Sequence, residues 1–243
     1  MSKKSWQPEL VLLFCGTQFI CFSLGILVAN LLHKFSVNGF KHEEDFGNVL
    51  LATLSFQGAT WVLIPIFLRL HQMRWRDAFG LQNGNLFRAL GWAIATLAVV
   101  LPVALLLQNL SATTLEKIGW PPAPQAAVKL LADAPLWPTG IYLGFFAIVL
   151  APVAEEFIFR GVLFPFVKQL GFPKTAWIGV SLLFALVHGA AAIFVPLFVL
   201  ALALTWLYEK TDNLLAPIVV HSLFNAANLI LFYFAQNFSV PSK

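Results

Sequence analysis

The chain has 243 residues, of which 59% are hydrophobic and only 11% are charged. Soluble globular domains carry about 25% charged residues, so this composition excludes an ordinary soluble protein. The formal net charge of +4 comes mostly from short segments that flank apolar stretches, as in cytoplasmic loops, and this pattern argues against nucleic acid as a partner.

Apolar stretches long enough to cross a bilayer follow one another along the chain. A transmembrane α-helix needs about 20 apolar residues to cross roughly 30 Å of hydrocarbon, and no alternating strand pattern typical of a barrel is present. We therefore predict an all-α, polytopic integral membrane protein with about seven transmembrane helices that enclose a polar cavity. The predicted spans are 9–32, 49–70, 87–107, 139–167, 175–188, 191–208 and 214–234.

The membrane domain is predicted to have two parts. Residues 1–138 form an N-terminal region of three spans with a Pro-rich outer loop, and residues 139–237 form the remaining spans. A short amphipathic helix is expected at 125–133, inside the loop, because prolines interrupt the chain on both sides of it.

The basic residues predict the orientation of the bundle. Apart from Arg160, which lies within a span, nine Lys and Arg residues fall on one side of the membrane and five on the other. The positive-inside rule then predicts a cytoplasmic N-terminus. The nine residues predicted to be cytoplasmic are Lys3, Lys4, Arg69, Arg74, Arg76, Arg88, Lys168, Lys174 and Lys210.

Three ionisable residues, Glu155, Glu156 and Arg160, interrupt the fourth apolar stretch. A charge inside the membrane costs about 2.5–3.5 kcal/mol on insertion scales, so such residues face a partner or water. Glu156 and Arg160 are four residues apart and predict an ion pair, whereas Glu155 points away from Arg160 by about 140° and is left to meet other helices. Pro152, one turn earlier, is expected to free the carbonyl of Ile148.

Two histidines and an asparagine share the depth of Glu155. At about 1.5 Å of rise per residue, Glu155 lies about 20 Å and His188 about 21 Å from the cytoplasmic ends of their spans. His221 and Asn225, at about 12 Å and 18 Å, lie on one face of the last span because they are four residues apart. Three helices are therefore expected to present a carboxylate, two imidazoles and an amide to one cavity.

Such groups suit the hydrolysis of an amide by water. A carboxylate removes a proton from water, a neutral imidazole holds that water, and N–H donors stabilise the oxyanion. Glutamate with two histidines is also a reasonable zinc set, although the residues come from separate helices and no H-E-x-x-H motif occurs. A structural salt-bridge cluster with packing histidines and a proton-relaying transporter are further alternatives, the latter without the internal repeat of many transporters.

At these residues the chain resembles the CPBP family of intramembrane glutamic endopeptidases, which includes the CAAX proteases, the Rce1-like proteins and the abortive-infection proteins. The resemblance covers residues 139–234 and implies that residues 139–237 form a CPBP-like catalytic core. Three motifs match in order on separate spans: Glu155-Glu156-x-x-x-Arg160, Phe184-x-x-x-His188 and His221-x-x-x-Asn225.

The resemblance implies a role for each of these residues. Glu155 is the general base that activates water, and His188 assists it. His221 and Asn225 form the oxyanion hole. Glu156 and Arg160 have a supporting role. The resemblance also implies an endopeptidase that acts without a metal or other cofactor on a membrane-associated, CAAX-type protein or peptide.

We expect this enzyme in the plasma membrane of a prokaryote, with the lipid bilayer around it and no nucleic-acid partner. Two other functions stay open. One is a zinc-dependent membrane peptidase, and the other is a non-catalytic membrane immunity or scaffold protein that binds its partner without cutting it.

Overall fold

The computed structural model describes residues 5–38, 40, 45–81, 86–120, 130 and 140–238, with side chains to residue 234. Within these ranges the secondary structure is helical and contains no strand. The short helix expected at 125–133 lies outside the described residues, as does most of the Pro-rich loop. The described helices are α1 Pro8–Lys34, α2 Phe46–Leu70, α3 Trp75–Ala78, α4 Leu86–Lys117, α5 Ile141–Gln169, α6 Pro173–Val187, α7 Ala191–Thr211 and α8 Leu215–Phe238.

Six of the described helices, α1, α2, α4, α5, α7 and α8, are long and apolar enough to cross a membrane. The predicted all-α, polytopic membrane fold is therefore confirmed. Helix α6 corresponds to the predicted fifth span and has 15 residues, which reach only about 22 Å at the rise of an α-helix. This is short of the roughly 30 Å of hydrocarbon in a bilayer, so α6 is a shorter apolar helix within the bundle.

Helix α7 lies among the helices that carry the polar residues. It packs against α4, α6 and α8, while α5 packs against α6 and α8. Leu200, Leu204 and Leu207 of α7 are fully buried in this core. Close packing of these apolar helices brings α5, α6 and α8 to a common centre, where the side chains predicted to form the site meet.

At one end of the bundle, the connectors between helices fit closely together. The backbone N–H of Leu214, just before α8, donates to the carbonyl of Phe79 at 3.0 Å. Gly80 has a φ of +67°, and a Cβ at this position would lie 1.7 Å from the carbonyl oxygen of Asp212. The connector after α3 therefore fixes the start of α8, and only glycine fits at residue 80.

Helix α5 changes its hydrogen-bond pattern around the two glutamates. The segments Phe146–Leu150 and Phe157–Leu163 are π-helical, and they flank the α-helical segment Ala151–Glu156. Such π-helical turns are rare and occur frequently at functional sites. A proline, which has no backbone N–H, follows shortly after each π-helical segment in the sequence: Pro152 after the first and Pro165 after the second.

Candidate active site

The predicted ion pair of α5 is present and completely buried. Arg160 Nη1 donates to Glu156 Oε1 at 2.8 Å, and both side chains have an exposed fraction of 0%. Arg160 Nη2 also donates to the carbonyl of Ala201 on α7 at 3.0 Å, and the guanidinium carbon lies 4.7 Å from the ring centroid of Phe184. Arg160 thus contacts a carboxylate, a carbonyl and an aromatic face, while its buried Nε has no hydrogen-bond partner among the described residues.

His221 of α8 joins this buried pair. Its Nδ1 lies 2.9 Å from Glu156 Oε1. Because an ionised carboxylate only accepts hydrogen bonds, Nδ1 carries the proton and donates it, and Nε2 of the neutral ring is then an acceptor. This Nε2 lies 3.9 Å from Glu155 Oε2. Glu156 thus orients the imidazole of His221 toward Glu155.

His188, at the end of α6, is oriented in the same way. Its Nδ1 lies 2.7 Å from the carbonyl oxygen of Phe184, one turn earlier, and donates to it. Its Nε2 then faces Glu155 Oε2 at 3.8 Å. The backbone carbonyl of residue 184 thus sets the tautomer of the imidazole, and the ring of Phe184 packs against it with ring centroids 4.8 Å apart.

Glu155 Oε2 thus faces two further acceptor atoms, His188 Nε2 and His221 Nε2. Glu155 Oε2 is buried, and no described residue donates a hydrogen bond to it. The separations of 3.8 Å and 3.9 Å are too long for direct hydrogen bonds. A water about 2.8 Å from Glu155 Oε2 and from one of the Nε2 atoms can bridge them with its two O–H donors, so the group is suited to hold and polarise a water.

The same three atoms test how well the site fits zinc. In a tetrahedral site with bonds of about 2.0–2.2 Å, neighbouring ligand atoms lie about 3.4 Å apart. To bind zinc, the imidazoles and Glu155 would have to approach one another by roughly 0.5 Å. In favour of zinc, both Nδ1 atoms are held by acceptors, as in zinc-ligating histidines. Among the described residues, no group of three His, Cys, Asp or Glu side chains is arranged to hold a metal ion.

Asn225 lies one turn after His221, but its described contact is with the backbone of α5. Its Nδ2 donates to the carbonyl of Ala147 at 2.9 Å. An amide NH₂ has two N–H donors, so one of them is engaged here and the other is the one that would serve an oxyanion. The sequence places Asn225 and His221 on one face of α8, but it does not indicate this bond to Ala147.

The π-helical register explains why Ala147 accepts this bond. Ala151 N donates to Phe146 O, five residues earlier, so in the same register the next residue, Pro152, faces Ala147 O. Because proline has no N–H, this carbonyl lacks a helical donor and Asn225 supplies one. The prediction that Pro152 frees the Ile148 carbonyl assumed a regular α-helix, and the π-helical turn moves the acceptor by one residue.

A further residue at the site, Trp6, is not predicted by the sequence analysis. It lies just before α1, is 1% exposed, and its indole Nε1 donates to the carbonyl of Gly161 on α5 at 3.2 Å. Trp6 stands before the first span, and no local pattern in the sequence indicates that its side chain reaches α5.

Comparisons with known proteins match the part of the chain that carries this site. Residues 136–227 match the family described as type II CAAX prenyl endopeptidase Rce1-like. Over 78 residues the chain is 35% identical to the UPF0177 protein YxdF of Lactococcus lactis, and the match covers 32% of this chain and 42% of that protein. No solved structure matches the chain. The matched segment contains all three motifs, and for this segment the resemblance to the Rce1-like family is confirmed.

Proposed function

We propose, on the premise that residues 136–227 belong to the Rce1-like family, that the protein is an intramembrane endopeptidase in which Glu155 activates water. The observation that carries the proposal is the buried Glu155 Oε2, which faces the Nε2 atoms of His188 and His221 at 3.8 Å and 3.9 Å. Each histidine has its Nδ1 proton engaged elsewhere. An Nε2 lone pair can therefore accept one O–H of the water while Glu155 accepts the other and deprotonates it.

The proposed reaction has two steps. Glu155 takes a proton from water while the water oxygen bonds to the scissile carbonyl carbon, and the carbonyl oxygen becomes an oxyanion. The intermediate then collapses, the C–N bond breaks, and the Glu155 carboxyl returns the proton to the leaving amine. The products are a carboxylic acid and an amine, which exchange a proton to become a carboxylate and an ammonium ion, and no covalent enzyme intermediate forms.

The oxyanion is stabilised by donors of α8. The second N–H of Asn225 is one donor, since the first is engaged with Ala147. His221 is the second member of the proposed oxyanion hole, and its Nε2 becomes a donor while it shares the proton that Glu155 takes from the water, before that proton reaches the leaving amine. In this proposal Arg160 keeps Glu156 in place for His221.

The proposed substrate is a membrane-associated protein or peptide of the CAAX type. Its class comes from the description of the matched family. The proposed location is the plasma membrane of a prokaryote with the N-terminus in the cytoplasm, supported by the distribution of basic residues in the sequence.

The test is cleavage of membrane-anchored peptides, with and without a prenyl group, by protein purified in lipid nanodiscs. Glu155→Gln removes the base with little change in volume, and we expect kcat to fall by about 10²-fold or more while Tm is retained. Glu116→Gln, at an exposed position near the end of α4, is the matched control and should keep full activity. Full activity in Glu155→Gln would reject the assignment of the base.

Metal analysis separates the water mechanism from the zinc alternative. We expect full activity after chelation and no stoichiometric zinc in active protein. Zinc at one ion per chain, with activity lost on chelation and restored by zinc, would establish the metal mechanism instead. A wild-type protein that binds such peptides but leaves all of them intact would favour the non-catalytic alternative.

A further inference from the structure

Two carbonyl groups in or beside the π-helical segments of α5 accept a hydrogen bond from a side chain elsewhere in the chain. In the first π-helical segment, Ala147 O faces Pro152, which has no N–H, and accepts a hydrogen bond from Asn225 Nδ2 at 2.9 Å. In the second, Phe157–Leu163, the Trp6 indole donates to Gly161 O at 3.2 Å. The segment that carries both glutamates is therefore held at each end from outside the helix.

Trp6 is built into this position by several contacts. Its backbone N–H donates to Gln169 Oε1 at 2.8 Å, and its carbonyl accepts from Gln169 Nε2 at 2.5 Å. Its ring packs against Phe67 and His71 of the α2 end, with ring centroids 5.0 Å away in both cases. The indole is thus fixed between the ends of α2 and α5, and its N–H is directed at Gly161.

Gly161 is tightly bounded on its other side. A Cβ on this residue would lie 2.7 Å from Phe79 Cε1, so the ring of Phe79 already occupies that space. The backbone of Gly161 is consequently held between Trp6 and Phe79. Arg160 is the preceding residue, and its side chain binds Glu156, which in turn orients His221.

We propose that Trp6 is a positioning residue for catalysis, whose indole N–H fixes the second π-helical segment and thereby the Arg160–Glu156–His221 chain. The inference rests on the proposed peptidase function, because its consequence is a change in turnover. Trp6 does not touch the reacting atoms. Its loss should lower kcat and leave KM unchanged, since the groups that bind substrate are not removed.

The direct test is Trp6→Phe, which keeps an aromatic ring in the pocket and removes the N–H. We expect kcat to fall by about fivefold, the factor that one hydrogen bond of ordinary net strength represents. Trp177→Phe is the matched control, because the Trp177 indole N–H is buried and has no hydrogen-bond partner among the described residues. It removes the same atoms without removing a hydrogen bond, and its kcat should match the wild type.

An activity-free measurement keeps this inference separate from the peptidase proposal. Hydrogen–deuterium exchange of the backbone across residues 157–169 should be faster in Trp6→Phe than in wild type, and unchanged in Trp177→Phe. Faster exchange in a protein that cleaves nothing would reject the peptidase and retain the role of Trp6 in holding α5. Equal exchange and equal kcat in the two Trp→Phe variants would reject the role of Trp6.

Discussion

Removing the charge of Glu156 provides the sharpest test of the buried network. In Glu156→Gln the volume is kept, but Arg160 keeps a charge at 0% exposure with no carboxylate directly against it. Its remaining partners are the Ala201 carbonyl and the Phe184 ring. Breaking a buried ion pair by removing one partner costs about 3–5 kcal/mol, which corresponds to a fall in Tm of roughly 6–20 °C for a chain of this size.

The assay is thermal unfolding in nanodiscs of constant lipid composition. Lys168→Gln is the control, because it breaks the Lys168–Glu209 pair, whose side chains are 35% and 32% exposed. A pair that is so accessible to solvent is worth about 0–1 kcal/mol. We therefore expect Glu156→Gln to lose several times more stability than Lys168→Gln.

A double variant separates the buried charge from other effects. Glu156→Gln with Arg160→Met replaces the pair by groups without charge, and most of the lost stability should return because no unpaired ion remains. Activity should not return, since His221 Nδ1 has lost its charged acceptor. Equal losses of stability in Glu156→Gln and Lys168→Gln would refute this account of the buried pair.

Two other predictions concern residues away from the glutamates. Gly171→Ala should lower the free energy of unfolding by about 1–2 kcal/mol through backbone conformation alone, because φ is +93° and a Cβ would meet open space. Gly80→Ala should lower it clearly more, because its Cβ would overlap Asp212 O. Thermal unfolding compares them, and equal losses would contradict the tight fit at Gly80. Gln18→Leu removes a 2.7 Å hydrogen bond from α1 to the Phe56 carbonyl of α2. The free energy of unfolding should fall by about 0.6 kcal/mol, and kcat should not change. A large loss of kcat would show that this contact influences the active site.

Local spacing predicts the parts of the site that depend on one helix. The Glu156–Arg160 pair follows from four-residue spacing, and the structure shows it at 2.8 Å. The depth estimate grouped Glu155 with His188 and His221, and these side chains do converge. Their catalytic roles stay predictions, because position alone does not show what a group does in a reaction.

Contacts between distant segments account for what the sequence does not predict. The bond of Asn225 to Ala147 depends on the π-helical register of α5. An α-helical and a π-helical turn differ by one residue, and contacts with other helices decide which of the two forms. The bond from Trp6 to Gly161 joins residues 155 positions apart. No local pattern specifies such a partner.

The helix that carries the third predicted span extends beyond it. The span was expected to end at residue 107, before two polar residues, and α4 continues to Lys117. Thr113 and Thr114 donate to the carbonyls of Asn109 and Leu110 one turn earlier, at 2.9 Å and 2.7 Å. Hydroxyl groups satisfied within the helix allow it to extend past the apolar stretch.

The contacts of Gly161 matter for exchanging the segment that matches the family, residues 136–227, between proteins. This residue belongs to the matched segment, but the two side chains that enclose it, Trp6 and Phe79, come from the part of the chain that precedes the segment. A chimera that exchanges only the matched segment would set a foreign Gly161 backbone against an unrelated indole and ring. Transplantation should therefore carry the residues before α1 and the connector after α3 together with the recognised segment.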